Sequence, residues 1–482
     1  MTDPVAGLEP KPLFRYFLEL SKIPRASKSE AAAAAWVAEQ GRLLGCEVER
    51  DAVGNVLLRA KASPGREGRP GVALQAHVDM VCEKNEGTPH DFAKDPIHVV
   101  RDGDWLRARG TTLGADDGVG VAAALAVLAS PDVAHPALEV LFTIDEETGL
   151  TGANGLRPGW LRSKFLLNLD SEEEGELTIG CAGGVDTVAR RAVTFAKAPA
   201  GSKAFRLKVS GLKGGHSGVD VAANRANSIK LLAAVLDAVV AKHGVLLAGV
   251  RGGNKRNAIP REASAIVVVD PAREAALRAD VARLEGEWKA ALGAFDPNLA
   301  IALEPAAAEV VMTEADARAV VGVLLAGPHG VEAMSPDIPG LVQTSTNLGV
   351  VDTKDGAVEV CFLTRSAIDA SKHALAARIA ATCALAGFEA RHSGGYPGWK
   401  PEPNASLVKL VDDVHEAAFG KRMIVKAIHA GLECGLIGEK YPAMEMVSFG
   451  PSIHDAHTPD ERASIPSIGA FWKLLVAVLA KL

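Results

Sequence analysis

The fold can be worked out from one stretch of sequence, EVLFTIDEETG, at Glu139–Gly149. Val140–Thr143 is an apolar run of β-branched and aromatic residues, which is typical of a buried strand. Three acidic residues follow it almost at once, Asp145, Glu146 and Glu147. Adjacent carboxylates at the end of a buried strand repel one another and resist desolvation, so they indicate either a bound cation or a strand that has emerged into water. Considered alone, the triplet is more typical of a solvated acidic turn.

Two other apolar stretches end in polar residues in the same way. The first, GVALQAHV, predicts a buried strand that reaches His77 and leads to Asp79, and the second, KFLLNLD, ends at Asp170. Strand and helix patterns alternate in this part of the chain, which indicates an α/β sheet. Ligand sites of such sheets lie at the carboxyl ends of the strands. The shared position of these polar residues argues against the solvated turn.

A glycine-containing segment, GTTLGADDGVGVAAALAVLAS, lies between these strands at residues 110–130. We predict a loop over Thr112–Asp117 and a helix of small residues over Val119–Ala129. The letters GVGVAA formally match the dinucleotide-binding pattern, but no apolar strand leads into them and two aspartates precede them. That negative charge would repel a pyrophosphate, so we reject a dinucleotide site. Asp116 or Asp117 could also cap the helix that follows.

Composition bounds the class of protein. The 482 residues are too many for one compact core, so two or more domains are expected. Hydrophobic residues make up 48% and charged residues 23%, as in soluble globular proteins, and the net charge of −7 offers no basic surface for nucleic acid. Apolar runs fall short of a membrane span, and the N-terminus lacks an export signal. Scattered cysteines without a CxxC pair indicate reduced thiols in a cytoplasmic protein.

The pattern of elements changes near residue 186 and changes back near residue 396. Between these points we predict the strands Phe205–Val209, Asn257–Val269, Leu299–Leu303, Leu341–Val350 and Ala357–Arg365 and the helices Ala222–Lys242, Ala272–Leu292 and Ser371–Ala386. We interpret RHSGGYPGWKPEPN, at Arg391–Asn404, as a Gly/Pro-rich link. The sequence thus predicts one domain from residues 1–185 and 396–482, and an inserted α+β domain over residues 186–395.

The polar strand ends together supply one imidazole and several carboxylates, from His77, Asp116, Glu147 and Asp170. Mixed nitrogen and oxygen ligands suit Zn²⁺, and Mn²⁺ or Co²⁺ by the same logic. Asp79 lies two residues beyond His77 and can orient its imidazole. So many acidic groups exceed the needs of one tetrahedral zinc. Two metal ions that share a carboxylate accommodate them and activate a bridging water for hydrolysis.

Several motifs resemble those of the di-zinc M20 metallopeptidases, in the same order and over nearly the whole length: HVDM, GTTLGADDG, TIDEETG, LNLDSEEEGELTIGCAGG and HTPDE. Within that family the cytosolic aminoacyl-histidine (Xaa-His) dipeptidases are the most similar. The resemblance implies a zinc-peptidase-like catalytic domain, with a mixed sheet flanked by helices, and an inserted lid domain that carries dimerisation. It also implies a dipeptidase that takes small peptides and works in the cytoplasm as a homodimer.

The resemblance implies a set of metal ligands. His77 and Asp170 would hold one divalent ion, Glu147 and His457 would hold the other, and Asp116 would bridge the two. The two ions would most commonly be zinc.

It also implies residues that assist the metal ions. Asp79 would support His77, and Glu146 would be the general base for the bridging water. His454 is an alternative ligand to His457, but His457 occupies the position that matches the family in HTPDE. We interpret the three glutamates at residues 172–174 as a solvated acidic turn.

Substrate contacts follow from the same resemblance. His216 in GGHSG would reach the partner subunit's site and steady the oxyanion of the reaction. Arg365 in CFLTRS would bind the terminal carboxylate of a dipeptide. Asn257 in GGNKRNAIP, together with His429 in HAGLECG, matches other substrate positions. Taken singly, His216 could belong to a tight glycine turn and Arg365 to a surface ion pair.

Other functions share parts of this pattern. An N-acyl amino-acid amidohydrolase of the same fold would have the same metal chemistry but a different substrate pocket, and the wording of GTTLGADDG and HAGLECG favours the dipeptidase. A non-catalytic binding module would be expected to lack a ligand or the base, and none is missing. A glycosidase with paired carboxylates would leave His77 and His457 unexplained.

Overall fold

A computed structural model describes residues 3–482 of the chain. In this part of the chain the helices are α1 (Lys11–Leu20), α2 (Ala31–Leu43), α3 (Ala115–Leu128), α4 (Glu146–Gly149), α5 (Thr151–Gly155), α6 (Ser228–His243), α7 (Glu274–Leu292), α8 (Glu314–Ala326), α9 (Asp369–Leu385), α10 (Ser406–Phe419), α11 (Glu433–Lys440) and α12 (Ile465–Lys481). No helix among them combines the length and apolar character that crossing a membrane requires.

The strands, numbered in chain order, are β1 (Glu47–Arg50), β2 (Val56–Ala60), β3 (Val72–His77), β4 (Val99–Asp102), β5 (Trp105–Ala108), β6 (Leu138–Thr143), β7 (Phe165–Asn168), β8 (Glu176–Cys181), β9 (Gly183–Ala192), β10 (Phe195–Lys197), β11 (Lys203–Ser210), β12 (Gly215–His216), β13 (Leu246–Gly252), β14 (Ala258–Ile259), β15 (Ala263–Val269), β16 (Ala300–Ala306), β17 (Val310–Met312), β18 (Gly330–Met334), β19 (Val342–Lys354), β20 (Ala357–Ser366), β21 (Glu389–Tyr396), β22 (Ile424–Ile428), β23 (Glu445–Ser448), β24 (Ile453–His454) and β25 (Arg462–Ser464).

The chain forms two compact units. Unit 1 consists of three segments: the chain up to Gly180, then Trp399–Ala427, then Leu432–Leu482. Unit 2 consists of Cys181–Gly398 and the short segment Ile428–Gly431.

Unit 1 is organised by an eight-stranded sheet with the order β1-β2-β6-β3-β7-β23-β8-β22. The neighbours β6, β3, β7 and β23 run parallel, whereas β1 pairs with β2, β2 with β6 and β8 with β23 in antiparallel fashion. Every residue of β3 and β6 is buried, as expected for central strands covered on both faces. This mixed sheet confirms the predicted α/β class, and it brings the carboxyl ends of β3, β6 and β7 to one edge.

The helix α3 packs against the sheet because its residues are small. Almost all of its side chains are buried, and most are alanine, glycine or valine. A Cβ atom added to Gly118 would come within 3.2 Å of the Phe17 ring on α1, so the close approach of α1 and α3 depends on this glycine. A second, four-stranded sheet of unit 1 has the order β24-β25-β5-β4, so it joins the hairpin β4–β5, which precedes α3, to two short strands near the C-terminus.

Unit 2 is an α+β unit built on a nine-stranded sheet. Its main path has the order β16-β11-β15-β13-β19-β20-β9-β21, and β18 pairs with β19. Along β11, Phe205, Leu207 and Val209 are buried while Arg206 is exposed, so one face of the strand lies in the core. The buried faces of α6, α7, α8 and α9 contribute to the same core.

Part of the sequence prediction for unit 2 was wrong. The predicted link at Arg391–Asn404 begins as the strand β21, which pairs with β9 at the edge of the sheet. Most of its residues are exposed, so the strand is held by backbone pairing and lacks the apolar alternation that would reveal it. The helix predicted from Ala222 begins at Ser228, because the side chain of Asn227 accepts hydrogen bonds from the amides at the start of α6.

Candidate metal centre and active site

Loops at one edge of the unit 1 sheet carry the acidic and histidine side chains. His77 is the last residue of β3, the triplet that contains Glu146 and Glu147 follows β6, and Asp170 follows β7. Because these parallel strands end at the same edge, residues far apart in sequence converge there. Asp116 joins them from the first turn of α3.

The first ligand group, called the His77 group, consists of His77, Asp116 and Asp170. Nε2 of His77 lies 3.1 Å from Oδ1 of Asp116 and 3.6 Å from Oδ1 of Asp170. The imidazole is buried, which alone would lower the pKa of His77, but the carboxylates around it raise that pKa well above its ordinary value.

The second ligand group, called the His457 group, consists of Asp116, Glu147 and His457. Nε2 of His457 lies 3.1 Å from Oδ2 of Asp116 and 3.0 Å from Oε2 of Glu147. The two carboxylate oxygens of Asp116 therefore face different imidazoles, one in each group. This is the arrangement expected of a carboxylate shared by two ions.

The donor atoms of both groups fit divalent cations. They are imidazole nitrogens and carboxylate oxygens, and within each group they lie within 4.8 Å of one another. Oε1 of Glu147 is buried without a hydrogen-bond partner among residues 3–482. Hydrogen bonds to Asp116 and Glu147 raise the pKa of His457 to about 11. This shift shows that the two carboxylates stabilise a positive charge at this position. A pair of divalent cations would neutralise these carboxylates.

Asp79 lies behind the His77 group and orients it. Oδ1 of Asp79 is 3.4 Å from Nδ1 of His77, on the opposite side of the ring from Asp116. The same carboxylate accepts hydrogen bonds from the amides of Glu146 (3.0 Å) and Glu147 (3.2 Å). Burial opposes its ionisation, but the charge and hydrogen bonds of His77 outweigh burial and lower the pKa of Asp79 to about 2. Asp79 is thus an anion that connects the ends of β3 and β6.

The acidic triplet contains three different environments. Asp145 is buried and accepts hydrogen bonds from the hydroxyl groups of Thr148 and Thr151, so it shapes the turn. Glu147 belongs to the His457 group. Burial, followed by repulsion from other carboxylates, raises the pKa of Glu146 well above its ordinary value, although the charge of His77 acts against this. A carboxylate whose pKa is raised is a stronger base than an ordinary glutamate.

The Asp116–Asp117 pair combines the ligand and helix-cap interpretations. Asp116 is shared by the two ligand groups, whereas Asp117 accepts hydrogen bonds from the amides of Gly120 (3.0 Å) and His77 (3.2 Å). Asp117 therefore caps the helix and holds the end of β3. The local sequence pattern does not distinguish the two aspartates, so Asp116 was assigned as the shared ligand from the family resemblance alone.

Glu461 is the last residue of the HTPDE motif, and its role is visible only in the structure. It is buried, and its carboxylate accepts four backbone amides, from residues 113 to 116, at distances between 2.7 and 3.4 Å. These bonds fix the loop that ends at Asp116. Every residue except proline has a backbone amide, so hydrogen bonds from amides to one buried carboxylate leave no pattern in the sequence. Only the HTPDE motif indicated that Glu461 matters.

Two other predictions concern the surroundings of the centre. His454, the alternative ligand, packs its ring against Trp105 at 5.1 Å and belongs to neither ligand group. The solvated acidic turn is correct for Glu173 and Glu174, which are exposed, but not for Glu172. Burial, then the charge of Asp116, raises the pKa of Glu172 to about 7.

Unit 2 brings together several residues that the resemblance linked to substrate. These are His216, Arg365 and His429, and two residues not predicted, Ser345 and Tyr396, are hydrogen bonded to them; we call these five residues the Arg365 cluster. Nη1 of Arg365 donates to the Tyr396 hydroxyl at 2.9 Å, and Nη2 lies 3.4 Å from Nε2 of His216 of the same chain. Nε of this buried side chain has no hydrogen-bond partner in the described chain.

The imidazoles of the Arg365 cluster are kept neutral. Burial, followed by the charge of Arg365, lowers the pKa of His216, and the same causes lower the pKa of His429 to about 3. His429 is hydrogen bonded to the Ser345 hydroxyl at 2.7 Å. Asn257 is exposed, and its carbonyl accepts the amide of Ser217, which keeps it beside His216 in the ribbon β12–β14.

Known proteins resemble this chain over its whole length. The model of peptidase family M20/M25/M40 matches residues 73–481. The "Cytosol non-specific dipeptidase" of Escherichia coli K12 is 42% identical over 479 residues, which is 99% of each chain. The crystal structure of the aminoacylhistidine dipeptidase from Vibrio alginolyticus superposes with a TM-score of 0.94 at 42% identity, covering 100% of this chain and 98% of that one.

A more distant structure shares the fold alone. The aminopeptidase PepT of Bacillus cereus gives a TM-score of 0.57 at 16% identity, covering 98% of this chain and 99% of that one. The family match and the full-length relative leave the assignment in no doubt. The chain belongs to peptidase family M20/M25/M40.

Proposed function

We propose that this chain is a metal-dependent dipeptidase, acting on Xaa-His dipeptides or on dipeptides more broadly. The observation that carries the proposal is the position of Asp116, whose two oxygens face the imidazoles of His77 and His457 at 3.1 Å each. The names of the 42% identical relatives, a non-specific dipeptidase and an aminoacylhistidine dipeptidase, support dipeptides as the substrate class.

We assign the two metal ions to the two ligand groups. His77 and Asp170 would hold one ion, Glu147 and His457 the other, and Asp116 would be shared. Zinc suits this mixture of imidazole and carboxylate, and Mn²⁺ or Co²⁺ would be accepted by the same donors. When bound, such ions act as Lewis acids and supply the positive charge that favours attack by water at neutral pH.

Glu146 would move the proton in this reaction. Its carboxylate oxygen would take a proton from the attacking water and deliver it to the nitrogen of the departing amine. Asp79 would keep the ring of His77 in place through Nδ1, since the carboxylate is already fixed by the amides of Glu146 and Glu147.

The Arg365 cluster would recognise the substrate. Arg365 is a buried cation whose described hydrogen-bond partners are a phenol and an imidazole, so it retains the capacity to pair with the terminal carboxylate of a dipeptide. His216 would steady the negative oxygen that develops during attack, and Asn257 and His429 would contribute to the same pocket. The proposed enzyme works as a homodimer in the cytoplasm. The location is supported by the name of the Escherichia coli relative, a cytosol dipeptidase.

A substrate panel tests the proposal. Enzyme reconstituted with zinc, manganese or cobalt is assayed on β-alanyl-histidine, other Xaa-His dipeptides, dipeptides without histidine and N-acetyl amino acids. We expect hydrolysis of free dipeptides and little of the N-acetyl compounds. Preference for N-acetyl amino acids would identify an amidohydrolase of the same fold. Fewer than one metal equivalent per chain, with no hydrolysis after metal is restored, would identify a binding module.

A further inference from the structure

We propose that the segment Arg25–Glu30, RASKSE, is a positioning element for the metal centre, and that Arg25 is its principal residue. The inference rests on the proposed function, because it concerns the same metal site. The segment precedes residues 73–481, which the family model matches, and none of the sequence motifs includes it. Its importance is visible only in the contacts that its side chains make.

Arg25 connects two loops that carry metal ligands. Its side chain is only 2% exposed. Nη1 donates to the carbonyl oxygens of Val78 (3.0 Å) and Asp79 (2.7 Å), directly after His77. Nη2 donates to the carbonyl oxygen of Gly114, two residues before Asp116. One rigid guanidinium therefore sets the distance between the loop of His77 and the loop of Asp116.

The loop before Asp116 is fixed from the other side by Glu461. The amides of residues 113–116 donate to this carboxylate, while the carbonyl of Gly114 accepts from Arg25. A Cβ atom at Gly114 would lie 2.5 Å from Nη2 of Arg25, so the close approach requires glycine there. The peptide groups before Asp116 are thus held at both their donors and their acceptors.

The rest of the segment reaches the third ligand-bearing loop. The Ser27 hydroxyl donates to Oδ2 of Asp79 at 2.8 Å. Oε1 of Glu30 accepts the amide of Asp145 at 3.1 Å, at the turn that leads to Glu147. Arg25, Ser27 and Glu30 therefore contact the loops after β3 and β6 as well as the start of α3.

The charge of Arg25 suits this position. Burial lowers the pKa of Arg25, while the carboxylates of Glu461 and Asp79 act in the opposite direction. A permanent cation behind the ligand loops partly offsets the repulsion among the carboxylates without occupying a ligand position. Lysine would keep the charge but lacks the planar fork that reaches both loops at once.

The test is the zinc affinity of Arg25→Lys, measured by competition with a chromophoric chelator. Losing an outer contact to a metal site commonly weakens metal binding about 10- to 100-fold. We expect a loss in that range, and a zinc dependence of dipeptide hydrolysis shifted to higher zinc with most of the maximal rate recovered. The matched control is Arg59→Lys, a largely buried arginine of β2 that pairs with Glu139 and donates to the Trp160 carbonyl. We expect it to bind zinc as the parent chain does.

The outcomes separate positioning from general stability. Zinc affinity of Arg25→Lys within twofold of the parent value, or an equal loss in Arg59→Lys, overturns the inference. If Arg25→Lys does not fold, Ser27→Ala replaces it, since that variant removes one hydrogen bond to Asp79; unchanged affinity there also overturns the inference. Because zinc affinity is measured without substrate, a chain that binds two ions yet hydrolyses no dipeptide would contradict the proposed function alone.

Discussion

The candidate sites of the two units have opposite charge, so they suit ligands of opposite charge. In unit 1, the His77 and His457 groups are rich in carboxylate, and these carboxylates raise the pKa values of both imidazoles. In unit 2, the Arg365 cluster contains a buried guanidinium, and burial, followed by the charge of Arg365, lowers the pKa values of His216 and His429. Histidine therefore lies among carboxylates in one unit and beside a buried guanidinium in the other. The first environment suits a metal cation and the second suits a carboxylate.

The strongest test of this contrast is Glu146→Gln in unit 1. The amide cannot accept the proton of the attacking water, so kcat for dipeptide hydrolysis should fall about 10³-fold while both metal ions stay bound. Steady-state kinetics together with elemental analysis of the protein check this. Glu173→Gln, at an exposed glutamate in the loop after β7, is the control and should keep full activity. Near-parental kcat in Glu146→Gln would remove the general base from the mechanism.

The corresponding test in unit 2 is Arg365→Met. A substrate carboxylate would lose a charged hydrogen-bond partner, so kcat/KM for a free dipeptide should fall about 100-fold. The same dipeptide with an amidated C-terminus lacks the carboxylate and should be hydrolysed almost equally by the parent and variant chains. An equal loss for both substrates would show that Arg365 supports the fold and does not bind the carboxylate.

A smaller effect is expected on stability against pH. Because the pKa of His429 is about 3 in the folded chain and about 6.5 when unfolded, the unfolded state binds the extra proton between these values. Stability is therefore lost as pH falls below 6.5, by about 2 kcal/mol between pH 7 and pH 5. Urea unfolding of the parent chain and of His429→Gln at both pH values measures this. Equal pH dependence of the two proteins would contradict the buried neutral state of His429.

The smallest expected effect comes from mixing His216→Ala with Arg365→Met chains. Both residues belong to one cluster of one chain, with Nε2 of His216 3.4 Å from Nη2 of Arg365, so each hybrid dimer would lack one or the other in every cluster. Mixing should therefore restore no activity. If His216 serves the partner subunit's site, as the family resemblance implies, while Arg365 serves the site of its own chain, unfolding and refolding the mixture should restore about a quarter of parental activity, from the one intact site of each hybrid dimer.

Only some residues of the candidate metal centre could be predicted from local sequence patterns. His77, Glu147 and Asp170 follow apolar strands, and the mixed α/β sheet that brings them to one edge follows from that same pattern. Asp116 required the family resemblance, because two adjacent aspartates before a helix have the same local signal. His457, more than 300 residues from Glu147, has no local pattern and was named from its motif. The roles of these residues in metal binding stay predictions until metal content is measured.

The sequence could not predict the residues whose side chains bind backbone groups. Arg25 and Glu461 bind peptide carbonyls and amides, which every residue has, so nothing in the letters of their partners indicates the contact. β21 was missed for a related reason, since an exposed edge strand is held by backbone pairing and carries no apolar alternation. In contrast, β19 and β20 bury apolar side chains, and their antiparallel pairing confirmed the predicted strand pair.

The three-segment construction of unit 1 has a consequence for synthesis on the ribosome. His77, Asp116, Glu147 and Asp170 are translated early, but His457 and Glu461 emerge only after all of Cys181–Gly398 has been made. Domains generally fold in the order in which they leave the ribosome. A nascent chain therefore has the complete sequence of unit 2 while the His457 group still lacks its histidine and the loop before Asp116 lacks its anchor. All the proposed ligands are therefore present only near the end of translation, and we expect metal loading to be completed no earlier.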